Sequence, residues 1–116
     1  MVVVTDTDEG VYALSTAIRE ARESQAPLIV LNLTSRSVDV SSVGPGVSTR
    51  TITRNDPADR DHATVILEEV GKAPDVTKLV LGVRRRSPVG KATLGNVGQR
   101  VLLEAPVPVL AVKVPE

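Results

Sequence analysis

The alternation of apolar runs and amphipathic stretches in these 116 residues predicts an α/β domain on an open, mainly parallel five-stranded sheet with helices on both faces. Three observations carry the prediction. The chain opens as strand, helix, strand: Val2-Val3-Val4, then a helical stripe, then an apolar run over residues 28–33. A second helical stripe separates the β-branched segment from residue 47 onward from Leu79-Val80-Leu81. The end of the chain reads as strand, basic glycine-containing loop, helix, strand, over residues 78–113. Strands with helices between them are joined by crossovers and run parallel.

Each element has its own local reason. Val2-Val3-Val4 is wholly apolar and β-branched, as in a strand buried on both faces. Thr5-Asp6-Thr7-Asp8 supplies turn and cap chemistry, and Val11, Leu14, Ile18 and Ala21 recur on one face of the following helix. Pro27 lies just beyond that helix. Residues 35–46 are rich in serine and valine and close with Gly44-Pro45-Gly46, so no helix is expected there. Their length is the lower limit for a parallel crossover. Val38 and Val40 alternate with polar neighbours, which suggests an extended arm that pairs back onto residues 47–53; either way one face of the sheet loses a covering helix and is left for something else, such as a partner subunit, to cover. Asp56, Pro57 and Asp59 mark the next helix start, with Ala63, Ile66, Leu67 and Val70 as its buried stripe and Gly71 and Pro74 as its stop. Leu79-Val80-Leu81 ends at Gly82. After a basic loop, Val97, Val101, Leu102 and Ala105 repeat at helical spacing, Pro106 stops that helix, and residues 107–112 form the last strand.

Bulk properties narrow the function. Fourteen basic and fourteen acidic side chains cancel, which disfavours a general nucleic-acid or membrane-surface binder. The chain has no cysteine and one histidine, so thiolate chemistry and Cys- or His-rich metal sites are excluded. Tyr12 is the sole aromatic residue, too few for base stacking on aromatic platforms. No apolar run has the length of a membrane span and no signal pattern opens the chain; with the missing cysteine, this makes a cytoplasmic location the expectation. His62 reads as an exposed polar residue, since no Ser or Cys nucleophile signal accompanies it.

The chemistry concentrates in the loop after Leu81, which holds Gly82, Arg84, Arg85, Arg86, Gly90 and Lys91. At the carboxyl end of a parallel strand, with a helix N-terminus beside it, such a loop favours an anion, above all a phosphate. The alternative is a solvated basic loop with salt bridges. Gly90-Lys91 lacks the upstream glycine and the following hydroxyl of a Walker A loop, and no G-x-G-x-x-G is present. The segment resembles the universal stress protein family, whose nucleotide loop G-x-x-G-x(9)-G-[ST] precedes a helix and an A-P-x-P-V-L-x-V strand. Gly82, Arg85, Gly95 and Asn96 stand at the four motif positions, and Ala105-Pro106-Val107-Pro108-Val109-Leu110 matches the ending. Arg85 replaces a glycine and Asn96 replaces the hydroxyl residue. Arg85 either blocks the backbone approach to phosphate or binds phosphate itself, at about 1.5–3 kcal/mol per charged hydrogen bond.

The resemblance implies the strand order 3-2-1-4-5 of the Rossmann-like adenine nucleotide α-hydrolase fold; the length gives one domain over residues 1–116, and residues 35–46 leave three main helices where the family pattern has four. It also implies a homodimer through the last strand and an adenine nucleotide, ATP, with Mg²⁺ only alongside it. The site residues it implies are Thr5, Asp6 and Leu33 at the first two strand ends, Gly82, Arg84 and Arg85 in the loop, and Gly95, Asn96 and Val97 at the helix start. Asp6 has two readings, a turn or capping aspartate and a contact to the base and ribose. The function expected is a stress-response or signalling domain without dedicated catalysis. The alternative is a nucleotide-free dimerisation or interaction module, and a hydrolase-like enzyme ranks last.

Overall fold

The computed structural model describes residues 1–55, 61–86, 91–93 and 95–113, with the backbone alone for residues 84–86, 91–93, 95 and 96. The elements are β1 (Val2–Val4), α1 (Asp8–Ser24), β2 (Leu28–Asn32), β3 (Thr49–Thr53), α2 (His62–Lys72), β4 (Leu79–Arg86), β5 (Lys91–Thr93), α3 (Gly95–Glu104) and β6 (Val109–Lys113). β1 pairs in parallel with β2 and β4, β2 with β3, and β4 with β6. The five parallel strands therefore take the order 3-2-1-4-5, with β6 as the fifth. β5 is an addition, antiparallel to the far end of β4.

Successive residues of the central strands point to opposite faces, and each face has its own core. Val2, Val4, Leu28, Val30 and Val80 face α1, where Ala13, Ala17, Ile18 and Ala21 meet them. Val3, Ile29, Leu31, Leu79 and Leu81 face α2 and α3, against Ala63, Ile66, Val70 and Val101. With one aromatic residue in the chain, close backbone approach fills these cores instead of ring area. A Cβ on Gly10 would lie 2.5 Å from the Thr5 amide nitrogen, and one on Gly82 would overlap the Glu9 carbonyl.

That approach corrects the expected faces. α1 buries Ile18 and Ala21 of the expected stripe together with Gly10, Ala13 and Ala17, while Leu14 is half-buried and Val11, also expected in the core, is 63% exposed. The small stripe lets the helix sit lower on the sheet than the larger side chains allow. In α3, Val101 is buried and Leu102, expected beside it, is 47% exposed. In α2, Val65 takes a buried place and Leu67 is half-buried. Asp61 caps α2, its Oδ1 accepting from the Ala63 amide at 3.0 Å, and the exposed His62 follows. The expected start at Asp56, Pro57 and Asp59 lies outside the described residues.

Residues 35–46 contain no α-helix, only a 3₁₀ turn at Ser41–Val43, and they feed β3 into parallel register with β2. Pairing back onto residues 47–53 does not occur. Val43 is buried, and Val38, Val40 and Val47 pack against the α1-side core. The linker itself thus packs over the sheet face, beside α1, that was expected to lose its covering helix.

β4 also differs from expectation. It does not end at Gly82 but runs to Arg86, and Arg84, Arg85 and Arg86 stand opposite Thr93, Ala92 and Lys91. The basic stretch begins as a β-hairpin. Without a glycine at position 85, nothing in the sequence favours the left-handed backbone that a loop uses there.

Two stability outcomes follow. Gln25 ends α1 with a left-handed backbone, φ 53°, its amide bonded to Ala21. Gln25→Gly should raise stability by about 0.5–1 kcal/mol in urea unfolding, because glycine adopts that conformation without steric penalty. Gly82→Val should lower it by about 3 kcal/mol or more, through overlap with the Glu9 backbone.

Candidate functional site

The carboxyl ends of β1, β2 and β4 form one edge of the sheet. The register sets Val4 opposite Asn32, and the Leu33 amide donates to the Val4 carbonyl at 2.9 Å, so Thr5 and Leu33 leave the sheet side by side. Val2 stands opposite Val80, and continuing that parallel register brings Gly82 level with Val4. An open α/β sheet binds ligands at this edge, where its strand order reverses between β1 and β4.

Thr5 and Asp6 line a cleft of 330 Å³, closed on its other sides by Val11 and Leu14 of α1 and by Thr34, Arg36 and Val38 of the linker. This is the lower end of the size range for small-molecule sites and suits a nucleoside better than a whole nucleoside triphosphate. The N-cap of α1 is Thr7, not Asp6, and Thr7 makes no side-chain cap bond because its hydroxyl lies 2.8 Å from that of Thr5. Asp6 is exposed, and among the described residues its carboxylate has no hydrogen-bond partner or ion pair. A carboxylate that neither caps nor pairs is available to a ligand's hydroxyl or amino group.

The opposite wall rests on a buried polar turn that the sequence reading missed. Asn32 is 1% exposed. Its Oδ1 accepts from the Thr34 amide at 2.9 Å and hydroxyl at 2.6 Å, and its Nδ2 donates to the Arg36 carbonyl at 2.7 Å. The Thr34 hydroxyl also lies within hydrogen-bond distance of the Arg36 carbonyl and amide. Asn-x-Thr directly after an apolar run was the available signal, since Asn and Thr side chains bond their own backbone two residues on. Further along, Ser41 bonds hold the Asp39 carboxyl below the usual carboxylate range: the Ser41 amide donates to Asp39 Oδ1 at 2.9 Å, and its hydroxyl adds a second bond.

The structure brings some of the expected residues together and separates others. Thr5 and Asp6 share the cleft. Leu33 leaves the same edge but packs into the core on the α2 and α3 side, as does Val97 in the first turns of α3. Gly82 faces Glu9 of α1, and Arg84 and Arg85 continue β4 into the hairpin. Gly95 and Asn96 open α3. The side chains of Arg84, Arg85 and Asn96 lie outside the described residues. Among the described residues, no group of three or more His, Cys, Asp or Glu side chains is arranged to hold a metal ion, and no helix is long and apolar enough to cross a membrane.

Comparison with known proteins gives a consistent result. The sequence model of the universal stress protein family matches residues 53–113. A universal stress protein of Mycolicibacterium smegmatis is 38% identical, the match covering 90% of this chain and 88% of that one. The solved universal stress protein of Archaeoglobus fulgidus superposes with a TM-score of 0.65 at 26% identity, covering 97% of this chain and 96% of the other. The universal stress protein UspA of Lactobacillus plantarum superposes with a TM-score of 0.63 at 16% identity, a likeness of fold.

The turn at Asn32 yields a prediction. Asn32→Ala takes the acceptor from the Thr34 amide and one of two donors from the Arg36 carbonyl, and should cost about 1–3 kcal/mol as the turn loosens. In hydrogen exchange, the Thr34 and Arg36 amides should lose protection while β1 amides keep theirs.

Proposed function

Because this chain belongs to the universal stress protein family, we propose that it is a stress-response domain that binds an adenine nucleotide, ATP, at the carboxyl edge of its sheet and performs no dedicated catalysis. The observation that carries the reading is Asp6, an uncapping, unpaired carboxylate in a nucleoside-sized cleft beside the point where the strand order reverses. Asp6 and Thr5 receive the base and ribose. The phosphates run toward the start of α3, where backbone amides and the macrodipole favour negative charge. Arg84 and Arg85 supply guanidinium groups in place of the family's second glycine, and Asn96 supplies a polar side chain in place of a hydroxyl. Mg²⁺ accompanies the nucleotide, held by its phosphates.

One observation favours the second reading, a nucleotide-free interaction module. The antiparallel pairing of Arg84, Arg85 and Arg86 with Lys91–Thr93 commits part of the backbone that a glycine loop leaves open to phosphate. The two readings differ in what Arg85 does, which makes that residue the test.

Calorimetric titration with ATP and Mg²⁺ should show saturable binding. Asp6→Ala should weaken it about ten-fold or more, the loss of one hydrogen bond to a charged group. Arg85→Gly should weaken it similarly where the guanidinium holds phosphate. Unchanged or tighter binding in Arg85→Gly would assign the phosphates to the backbone instead, and absence of heat from the wild type at millimolar ATP would remove the nucleotide from the function.

The proposal includes a homodimer. β6 presents Leu110 and Ala111 to solvent, and the preceding helix ends with Leu102 and Leu103, 47% and 84% exposed. An apolar outer strand of this kind invites pairing with its own copy about a two-fold axis. Light scattering should give twice the chain mass at micromolar concentration, and Leu110→Lys should give the monomer. A monomeric wild type would discard this interface.

A further inference from the structure

We propose that the outer face of α1 is a docking groove for a helix of a partner protein carrying an apolar stripe flanked by acidic residues. The chain lacks a helix between β2 and β3, and the linker that replaces it covers only the area over the sheet. Beside it, along α1, a shallow hollow of 420 Å³ remains, walled by the exposed Val11 and the half-buried Leu14, floored by the buried Ile18, with Arg19, Arg22, Asp39 and Ser42 on its rim. Val11, Leu14 and Ile18 follow one another by three and four residues, so the apolar strip runs along the helix axis. Val11 is 63% exposed, although a similarly placed alanine would serve the core equally, since the core contact is made by Gly10, Ala13 and Ala17.

Charge names the occupant. Arg19 and Arg22 are exposed, one turn apart, and among the described residues neither has an ion-pair or hydrogen-bond partner. Arg54, Lys72, Lys78 and Arg100, by contrast, are paired: Arg54 with Glu68 and Glu69, Lys72 with Glu69, Lys78 with Glu20, and Arg100 with Asp61 and Glu104. Two unpaired guanidinium groups bordering an apolar strip are complementary to an amphipathic helix with Asp or Glu beside its apolar face. Asp39, on the same rim, is already bonded to Ser41, so its charge is partly satisfied within the linker. A strand addition does not fit here, because the groove wall is helix and not a sheet edge.

The test uses a synthetic peptide of about 18 residues, with leucine at successive three- and four-residue spacings and glutamate at the flanking positions. A second peptide has lysine in place of glutamate. Titrated into the isotope-labelled full chain, the acidic peptide should shift the amides of Val11, Ser15, Arg19, Arg22 and Ser42, and should bind about ten-fold tighter than the basic one at low salt. The double variant Arg19→Glu, Arg22→Glu should reverse that preference while its circular dichroism stays that of the wild type. Val11→Glu should weaken the acidic peptide without changing the oligomeric state. Equal affinity for both peptides, shifts confined to α3 or β6, or no shift at millimolar peptide would overturn the proposal. A change of oligomeric state in Val11→Glu would overturn it as well, by assigning the groove to a second copy of this chain.

Discussion

The first turn of α1 lies so close to the sheet that neither Gly10 nor Gly82 has room for a methyl group, and the rest of the site depends on that contact. It fixes the bend by which the chain leaves β1, so Thr5 and Asp6 stand at the carboxyl edge and do not follow the strand outward. It also explains a core without aromatic rings. Ala13, Ala17 and Ala21 continue the small face along the helix, and the β-branched residues of β1, β2 and β4 fill the narrow space beneath. The same glycine that opens the family's nucleotide motif is therefore a packing residue in this chain. Gly82 serves the fold before it serves any ligand, and its presence alone is weak support for a phosphate site.

The frame of the molecule was legible because burial on both faces leaves a plain record. Val2-Val3-Val4 and the run from Leu28 have no polar alternation, and helical stripes between such runs fix both the parallel pairing and the place of the functional edge. What was hidden depends on distance. Ile18 and Ala21 of the apolar stripe are buried, yet Val11 at its start is exposed and Gly10, Ala13 and Ala17 take the closest places, because periodicity reports a preferred face and not how near the sheet lies. Gly82 was read as a stop when it is a point of close approach inside a strand, a known second meaning of glycine in strands. The hairpin of β4 and β5 was hidden for another reason: three arginines carry no β signal, and only the pairing with Lys91–Thr93 reveals them as a strand. Asn32 escaped notice because a polar residue at a strand end reads as the beginning of the loop. It is in fact the buried hub of the turn that shapes the cleft.

Two consequences of the shortened crossover meet in the function. With no helix between β2 and β3, the linker packs Val38, Val40, Val43 and Val47 onto the sheet, and its first residues become one wall of the cleft. Beside the linker, the outer side of α1 carries the exposed Val11, the half-buried Leu14 and two arginines that are unpaired among the described residues. The cleft and the groove share Val11, Leu14 and Asp39, so a ligand in one lies against the walls of the other. In the proposed site the base end keeps the unpaired Asp6 carboxylate, while at the proposed phosphate end arginine stands for glycine and a strand pairing for an open loop.

The central claim is that the carboxyl edge holds an adenine nucleotide, and amide chemical-shift mapping with ATP and Mg²⁺ tests it most directly. The account predicts saturable shifts at Thr5, Asp6 and Thr7, in the turn from Asn32 to Arg36, and in the first turn of α3, with the amides of the amino-terminal strand ends, such as Leu28 and Leu79, unmoved. Shifts that do not saturate at millimolar ATP, or that gather at the amino-terminal edge of the sheet, would contradict it.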